Sequence, residues 1–263
     1  MRVLLTLLMI ISLTSYSIAS EASGVELPLQ YQFIASDNVN KNIDNKLVLA
    51  KENNTRLLLV LGAQWCHDSK SLATKFSSDE MQAVLENNYE LLFVDVGYLE
   101  KGFDVAKRFG MPIYYGTPTV MIIDPNSEQL LNADSMLQWM SADSIELSHY
   151  QVYFSEMASK KINNPLENSA RLAQYYHQIE KVALEQATRI KKAYAAFGPV
   201  LKNYKENNVQ FSDESGDRWQ QVQKLRYKLQ KDILALKEQA QKAVLEDEPL
   251  ILIFPSYPTF DWE

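Results

Sequence analysis

At 263 residues the chain is long enough for one large domain or two small ones. Its hydrophobic share of 46% and charged share of 22% are those of a globular protein, and no internal repeat or low-complexity tract interrupts it. A formal net charge of −7 argues against nucleic acid or an anionic membrane surface as the main partner.

Residues 1–19 read as a secretory signal peptide. Arg2 supplies the positive start, Val3 to Leu13 is apolar apart from Thr6 and Ser12, and Ser17-Ile18-Ala19 offers small residues where a signal peptidase reads. Cleavage is expected after Ala19, with Ala22 as the other candidate. The alternative, an uncleaved anchor helix, is disfavoured because the apolar core is shorter than the ~20 residues a bilayer needs. The expected address is therefore the periplasm or the outside of the cell. Residues 20–37 are a lead-in, with a short edge strand expected at Tyr31 to Ile34.

Residues 38–135 carry an α/β pattern. A helix is expected from Val39 to Glu52, started by Asp37 or Asn38, with Ile43, Leu47 and either Leu49 or Ala50 inward. Leu57 to Leu61 is an apolar run of strand length, broken by Gly62-Ala63, and reads as a strand buried on both faces. Trp65-Cys66 follows at a turn, and Asp68 to Phe76 has helical spacing with Leu72 and Phe76 on one face. Ser77-Ser78-Asp79 starts another helix carrying Met81, Val84 and Leu85, and Leu91 to Val96 is the next strand. A short helix from Phe103 ends at Gly110. The loop Met111 to Tyr115 leads to Pro118. Val120 to Ile123 and Gln129 to Leu131 then read as a hairpin around Asp124-Pro125-Asn126-Ser127.

Residues 136–263 change character: Gly and Pro become rare and helix formers dominate. One helix is expected from Ile145 to Ala158. A long one is expected to begin at Pro165 and run to about Phe197, where Gly198-Pro199 kinks or ends it. Another is expected from near Asp217, with Val222, Leu225, Leu229, Ile233, Leu236 and Ala240 stepping by three or four. Two long helices with narrow apolar seams read as an antiparallel hairpin, either packing on the α/β domain as extra core or serving as a dimerisation or partner-docking arm. The apolar tail Pro249 to Phe254 is expected to pack on the fold, because an exposed run of this kind invites aggregation.

The chemistry centres on Cys66, the single cysteine of the sequence. An exported chain meets disulfide-forming conditions, yet this one cannot form an internal disulfide, so its thiol is free or bonded to another molecule. The strand-turn-helix pattern places it at a helix N-terminus, where free N–H groups and the positive end of the dipole favour a thiolate. A lone cysteine is commonly a small buried hydrophobe; here its position favours a reactive role. His67 either adds positive charge beside it or is a solvated first-turn residue. Ser69, one turn along, is placed to offer an O–H to the thiolate. His149 and His177 lie in unrelated helical contexts. Cys66 and His67 alone are too few ligands for a metal, so neither metal nor cofactor is expected.

Trp65-Cys66-His67-Asp68-Ser69 resembles the W-C-x-x-C active-site segment of the thioredoxin superfamily, with serine in place of the second cysteine. Gly116-Thr117-Pro118-Thr119, before the apolar run Val120 to Ile123, resembles the cis-proline loop of that family. The wording GAQWCHDSK is similar to exported bacterial thioredoxin-like proteins that carry this serine. The resemblance covers roughly residues 38 to 135 and implies a thioredoxin-like fold: a central mixed sheet flanked by helices, here with an all-α extension. It further implies that Pro118 is cis, that Trp65, Thr117 and Pro118 border a client groove, and that Thr117 offers its backbone to an extended client. Tyr114 and Tyr115 either extend that groove or pack the loop. Without a second cysteine, a mixed disulfide at Cys66 must be resolved by an outside thiol. The buried acid that many thioredoxins carry in the active-site strand is Val60 here, which fits a monothiol site. The implied activity is thiol–disulfide exchange, isomerase-like or mixed-disulfide capture, with client proteins or small thiols as partners. Two alternatives are a non-catalytic client-binding or chaperone module and an envelope-complex subunit; in any of these roles a homo-oligomer through the C-terminal helices is a further expected partner.

Overall fold

The computed structural model describes residues 31–161, 166 and 169–263. The expected signal peptide and the expected helix start at Pro165 lie outside the described residues. Three strands form a mixed sheet in the order β2-β1-β3: β1 (Arg56–Gly62) is central, parallel to β2 (Tyr89–Asp95) and antiparallel to β3 (Thr119–Ile123). Leu57 to Leu61 is buried throughout, as expected of a central strand covered on both faces.

The two-residue period of β1 divides its side chains between two cores. Leu57, Leu59 and Leu61 enter one with α1 (Val39–Asn53), α4 (Phe103–Arg108) and the C-terminal helices. Leu58 and Val60 enter the other with α2 (His67–Phe76), α3 (Asp79–Asn88) and α5 (Leu147–Ser159). In α1 the inward residues are Ile43, Leu47 and Ala50, and Leu49 faces solvent. Ser78 caps α3 by accepting the Met81 N–H. Tyr31 to Ile34 forms no strand. Phe33 instead plugs the second core and packs edge-on against Phe93.

The expected hairpin after β3 is reduced to one bridge, Ile123 to Leu130. The reason is Asn132, whose buried side chain takes over strand bonding. Its carboxamide accepts the Ile122 N–H at 2.8 Å and donates to the Val120 carbonyl at 3.0 Å. A side-chain amide thus satisfies the outer edge of β3, and the chain turns into 3₁₀ turns over Met136–Ser144 with Trp139 fully buried.

Two long helices follow, α6 (Ala170–Asn207) and α7 (Asp213–Leu245). They run antiparallel: Arg171 pairs with Asp247, Tyr176 with Gln241, and Tyr194 with Arg226. α6 does not end at Gly198-Pro199 but continues through Pro199 for two further turns. Gly198 is required there by contact, because a Cβ on it would lie 2.7 Å from the Tyr98 carbonyl oxygen. α7 starts at Asp213, four residues before the expected position, because Ser212 caps it through the Ser215 N–H. The hairpin packs as extra core: Tyr194 stacks on Tyr114 and donates to its carbonyl at 3.3 Å, and both seams join the first core. The tail runs back along the hairpin. Leu250, Leu252 and Phe254 pack against the first core, whereas Ile251 and Ile253 are exposed. Arg189 holds the chain end by ion-pairing with Glu263 and donating to the Pro258 carbonyl.

Candidate active site

Cys66 is the N-cap residue of α2, in extended backbone conformation. Its thiol donates to the Thr117 carbonyl at 3.3 Å, directly before the cis Thr117–Pro118 bond. The turn exists because β1 stops at Gly62, where the backbone crosses closely over Phe33 and Ser69. No side chain caps the start of α2, so its first N–H groups are free to meet a negative charge at Cys66. The residue is 8% exposed.

The other expected site residues separate into those brought to the thiol and those turned from it. Trp65 is fixed beside it, its indole N–H donating to the Gly97 carbonyl at 2.7 Å and its ring stacked on Tyr98. Thr117 and Pro118 face it through the carbonyl contact. Ser69, by contrast, offers no hydroxyl to the sulfur. It is fully buried beneath Gly62, and its Oγ accepts the Ala63 N–H at 3.5 Å. His67 points to solvent, with its side chain 75% exposed and Nε2 3.8 Å from the Asp143 carboxylate. Tyr114 and Tyr115 are buried packing residues, not a groove. Burial pushes both phenols well above their ordinary values.

A cavity of about 310 Å³ lies next to the Cys66 turn, lined by its neighbours Trp65 and Asp68 and by Thr117, whose carbonyl accepts the thiol hydrogen bond. One wall belongs to the α/β domain and comprises Trp65, Asp68, Leu99, Gly116, Thr117 and the Met140 side chain. The other belongs to the hairpin, with Phe197, Tyr204, Lys205, Trp219, Arg226 and Tyr227 among its residues. The side expected to receive an extended client is thus covered by α6 and α7. Met140 and the whole hairpin wall escaped the sequence reading. One signal was present: Arg226 falls among the apolar positions Val222, Leu225 and Leu229 of the α7 seam, where a charge is out of place.

Arg226 is 6% exposed. It lies over the rings of Trp219 and Tyr194, and its Nη1 donates to the Tyr194 hydroxyl at 3.3 Å. Burial raises the Tyr194 phenol above its ordinary value, and the neighbouring guanidinium acts against that shift. No carboxylate pairs with Arg226 among the described residues, and its buried Nε has no hydrogen-bond partner. Burying a cation without an anion costs several kcal/mol. Two cation–π contacts return about 0.5–2 kcal/mol each, so the stacking leaves part of that cost uncovered.

Residues 37–125 match a family model described as thioredoxin-like. This segment is a thioredoxin-like domain. Among solved structures, the disulphide isomerase from Xylella fastidiosa Temecula1 is similar at 21% identity, over 50% of this chain and 98% of that one, with a TM-score of 0.44. No curated protein matches the chain.

Proposed function

We propose that the protein performs monothiol thiol–disulfide exchange through Cys66, in the periplasm after export. The observation that carries this reading is the thiol at the uncapped start of α2, facing the carbonyl before cis Pro118. The leader-like N-terminus supports an oxidising compartment. In the reaction, the Cys66 thiolate attacks one sulfur of a disulfide, a new S–S bond forms to Cys66, and the old one breaks. The departing thiolate takes a proton from water. Ser69 has no sulfur with which to displace the adduct, and its Oγ is turned to Ala63. An outside thiol therefore attacks the mixed disulfide, returns Cys66 to its starting state and leaves no net oxidation.

The test is intact-mass analysis of the folded full-length protein treated with a small neutral disulfide. An adduct at Cys66 is expected, stable until free thiol is added. Absence of any adduct before denaturation overturns the exchange reading and favours a client-binding scaffold.

A further inference from the structure

Every other arginine among the described residues has a carboxylate partner: Arg56 with Asp124, Arg108 with Asp44 and Glu128, Arg171 with Asp247, Arg189 with Glu263, and Arg218 with Glu214. Arg226 is the buried one and has none among the described residues. It also lines the cavity beside the Cys66 turn, with its Nε unpartnered. A guanidinium presents planar donors matched to a carboxylate, and a desolvated one binds it far more strongly than a solvated one does.

We propose that this cavity recognises a low-molecular-weight thiol or disulfide bearing a carboxylate, with Arg226 as the carboxylate-binding residue and Cys66 as the sulfur acceptor. This rests on the exchange reading of Cys66. The charges lining the cavity orient such a molecule. Asp68, on the domain wall, repels the carboxylate from the Cys66 end, and Lys205 joins Arg226 in attracting it to the hairpin wall. Trp65 and Trp219 supply aromatic faces for the methylenes between. A volume of about 310 Å³ lies at the small end of small-molecule sites, about 300–1,000 Å³, and argues for a small molecule over a protein segment. In the covalent step one sulfur of the disulfide R–S–S–R bonds to Cys66, the S–S bond breaks, and R–S⁻ leaves and is protonated by water.

Three disulfides of one chain length separate charge from size: 3,3′-dithiodipropionate, bis(2-hydroxyethyl) disulfide and cystamine. Their rates of adduct formation with the full-length protein are read by intact mass, with denatured protein giving the intrinsic ratios. The folded protein is expected to favour the dicarboxylate over the neutral disulfide by about tenfold or more relative to those ratios, the size of one charge-assisted hydrogen bond, and to disfavour cystamine. Arg226→Gln, confirmed as folded by circular dichroism, is expected to bring the dicarboxylate ratio to the intrinsic value. Arg226→Lys keeps the charge but loses the planar fork, so it is expected to keep only part of the ratio, and should Arg226→Gln fail to fold, that variant and the unmodified ratio decide. A ratio equal to the intrinsic one, or unaltered by Arg226→Gln, overturns the proposal.

A second arm uses Cys66→Ser, which cannot exchange, titrated with dithiodipropionate and followed by tryptophan fluorescence. Binding that weakens at least tenfold when Arg226→Gln is added supports the anion site, and no binding overturns it. Adducts without charge preference sink only the anion site. Binding without adducts in the unmodified protein sinks only the exchange reading.

Discussion

The two walls of the cavity are built by different rules. The domain wall is made of turns: Trp65, Asp68, Gly116 and Thr117 come from the start of α2 and the loop before β3. The Trp65 indole is held on the Gly97 carbonyl, and the Cys66 thiol on the Thr117 carbonyl. The hairpin wall is made of side chains on two continuous helices, placed by seam packing together with side-chain contacts such as Arg226 to Tyr194 and Tyr194 to the Tyr114 carbonyl. A turn fixes a reacting atom to within a bond, whereas a helix face supplies a broad apolar surface with one charge inserted. The first arrangement suits chemistry and the second suits recognition, and the two are expected to fail in different ways.

The largest effect is expected from Phe76→Ala. Phe76 is fully buried at the last turn of α2, edge-on to Phe93, Tyr150 and Phe154. Its loss should cost about 3–5 kcal/mol in urea unfolding and loosen the helix that begins at Cys66. Gly198→Ala strikes the other wall. The added Cβ meets the Tyr98 carbonyl, a backbone atom that cannot swing aside. About 1–3 kcal/mol is expected from such overpacking, and α6 should ride away from the domain. The discriminating measurement is modification of Cys66 by a bulky aromatic disulfide. It should quicken in Gly198→Ala, where the cover lifts but the Cys66 turn survives. An unaltered rate would show that the hairpin does not limit access to the thiol.

The same division governs what the sequence disclosed. The apolar run Leu57 to Leu61, the Trp-Cys turn and the Thr-Pro loop are local patterns, and each occupies its expected place. Three features depend on distant contacts. Asn132 carries no strand signal, yet its side-chain amide occupies the bonds a fourth strand would have made. Gly198-Pro199 has the signature of a helix end, but α6 continues through it, and the glycine serves the close contact with Tyr98 instead. Counting along one turn places Ser69 beside the sulfur. It faces Ala63 instead because Gly62 leaves a hollow above it. The hairpin wall is the least legible part, since spacing identifies a seam but not what lies opposite. Arg226 and Gln230 are the buried polar residues of the α7 seam, and Arg226 is the one of the two that carries a charge.

The smallest effect is expected from Asp124→Asn, which leaves both walls in place. Asp124 closes the turn after β3, accepting N–H bonds from Asn126 and Ser127 at 3.0 Å each, and it pairs with Arg56 at the start of β1. Partial burial pushes its carboxyl up, but the Ser127 and Asn126 N–H groups and then Arg56 outweigh this and hold it below the ordinary value. Asparagine keeps an acceptor for the turn, so the loss is that of the charge, about 1 kcal/mol after allowance for solvent. With the folded carboxyl more acidic than the unfolded one, the unfolded chain binds more protons between the two, and stability rises with pH there. The contribution is complete above the unfolded value of about 3.9 and disappears as pH falls through the folded value. Urea midpoints of the two proteins should therefore differ by a constant amount near neutrality and converge in acid, while Cys66 reactivity at pH 7 stays the same. A gap that persists at the lowest pH would assign the effect to the turn geometry and not to the ion pair.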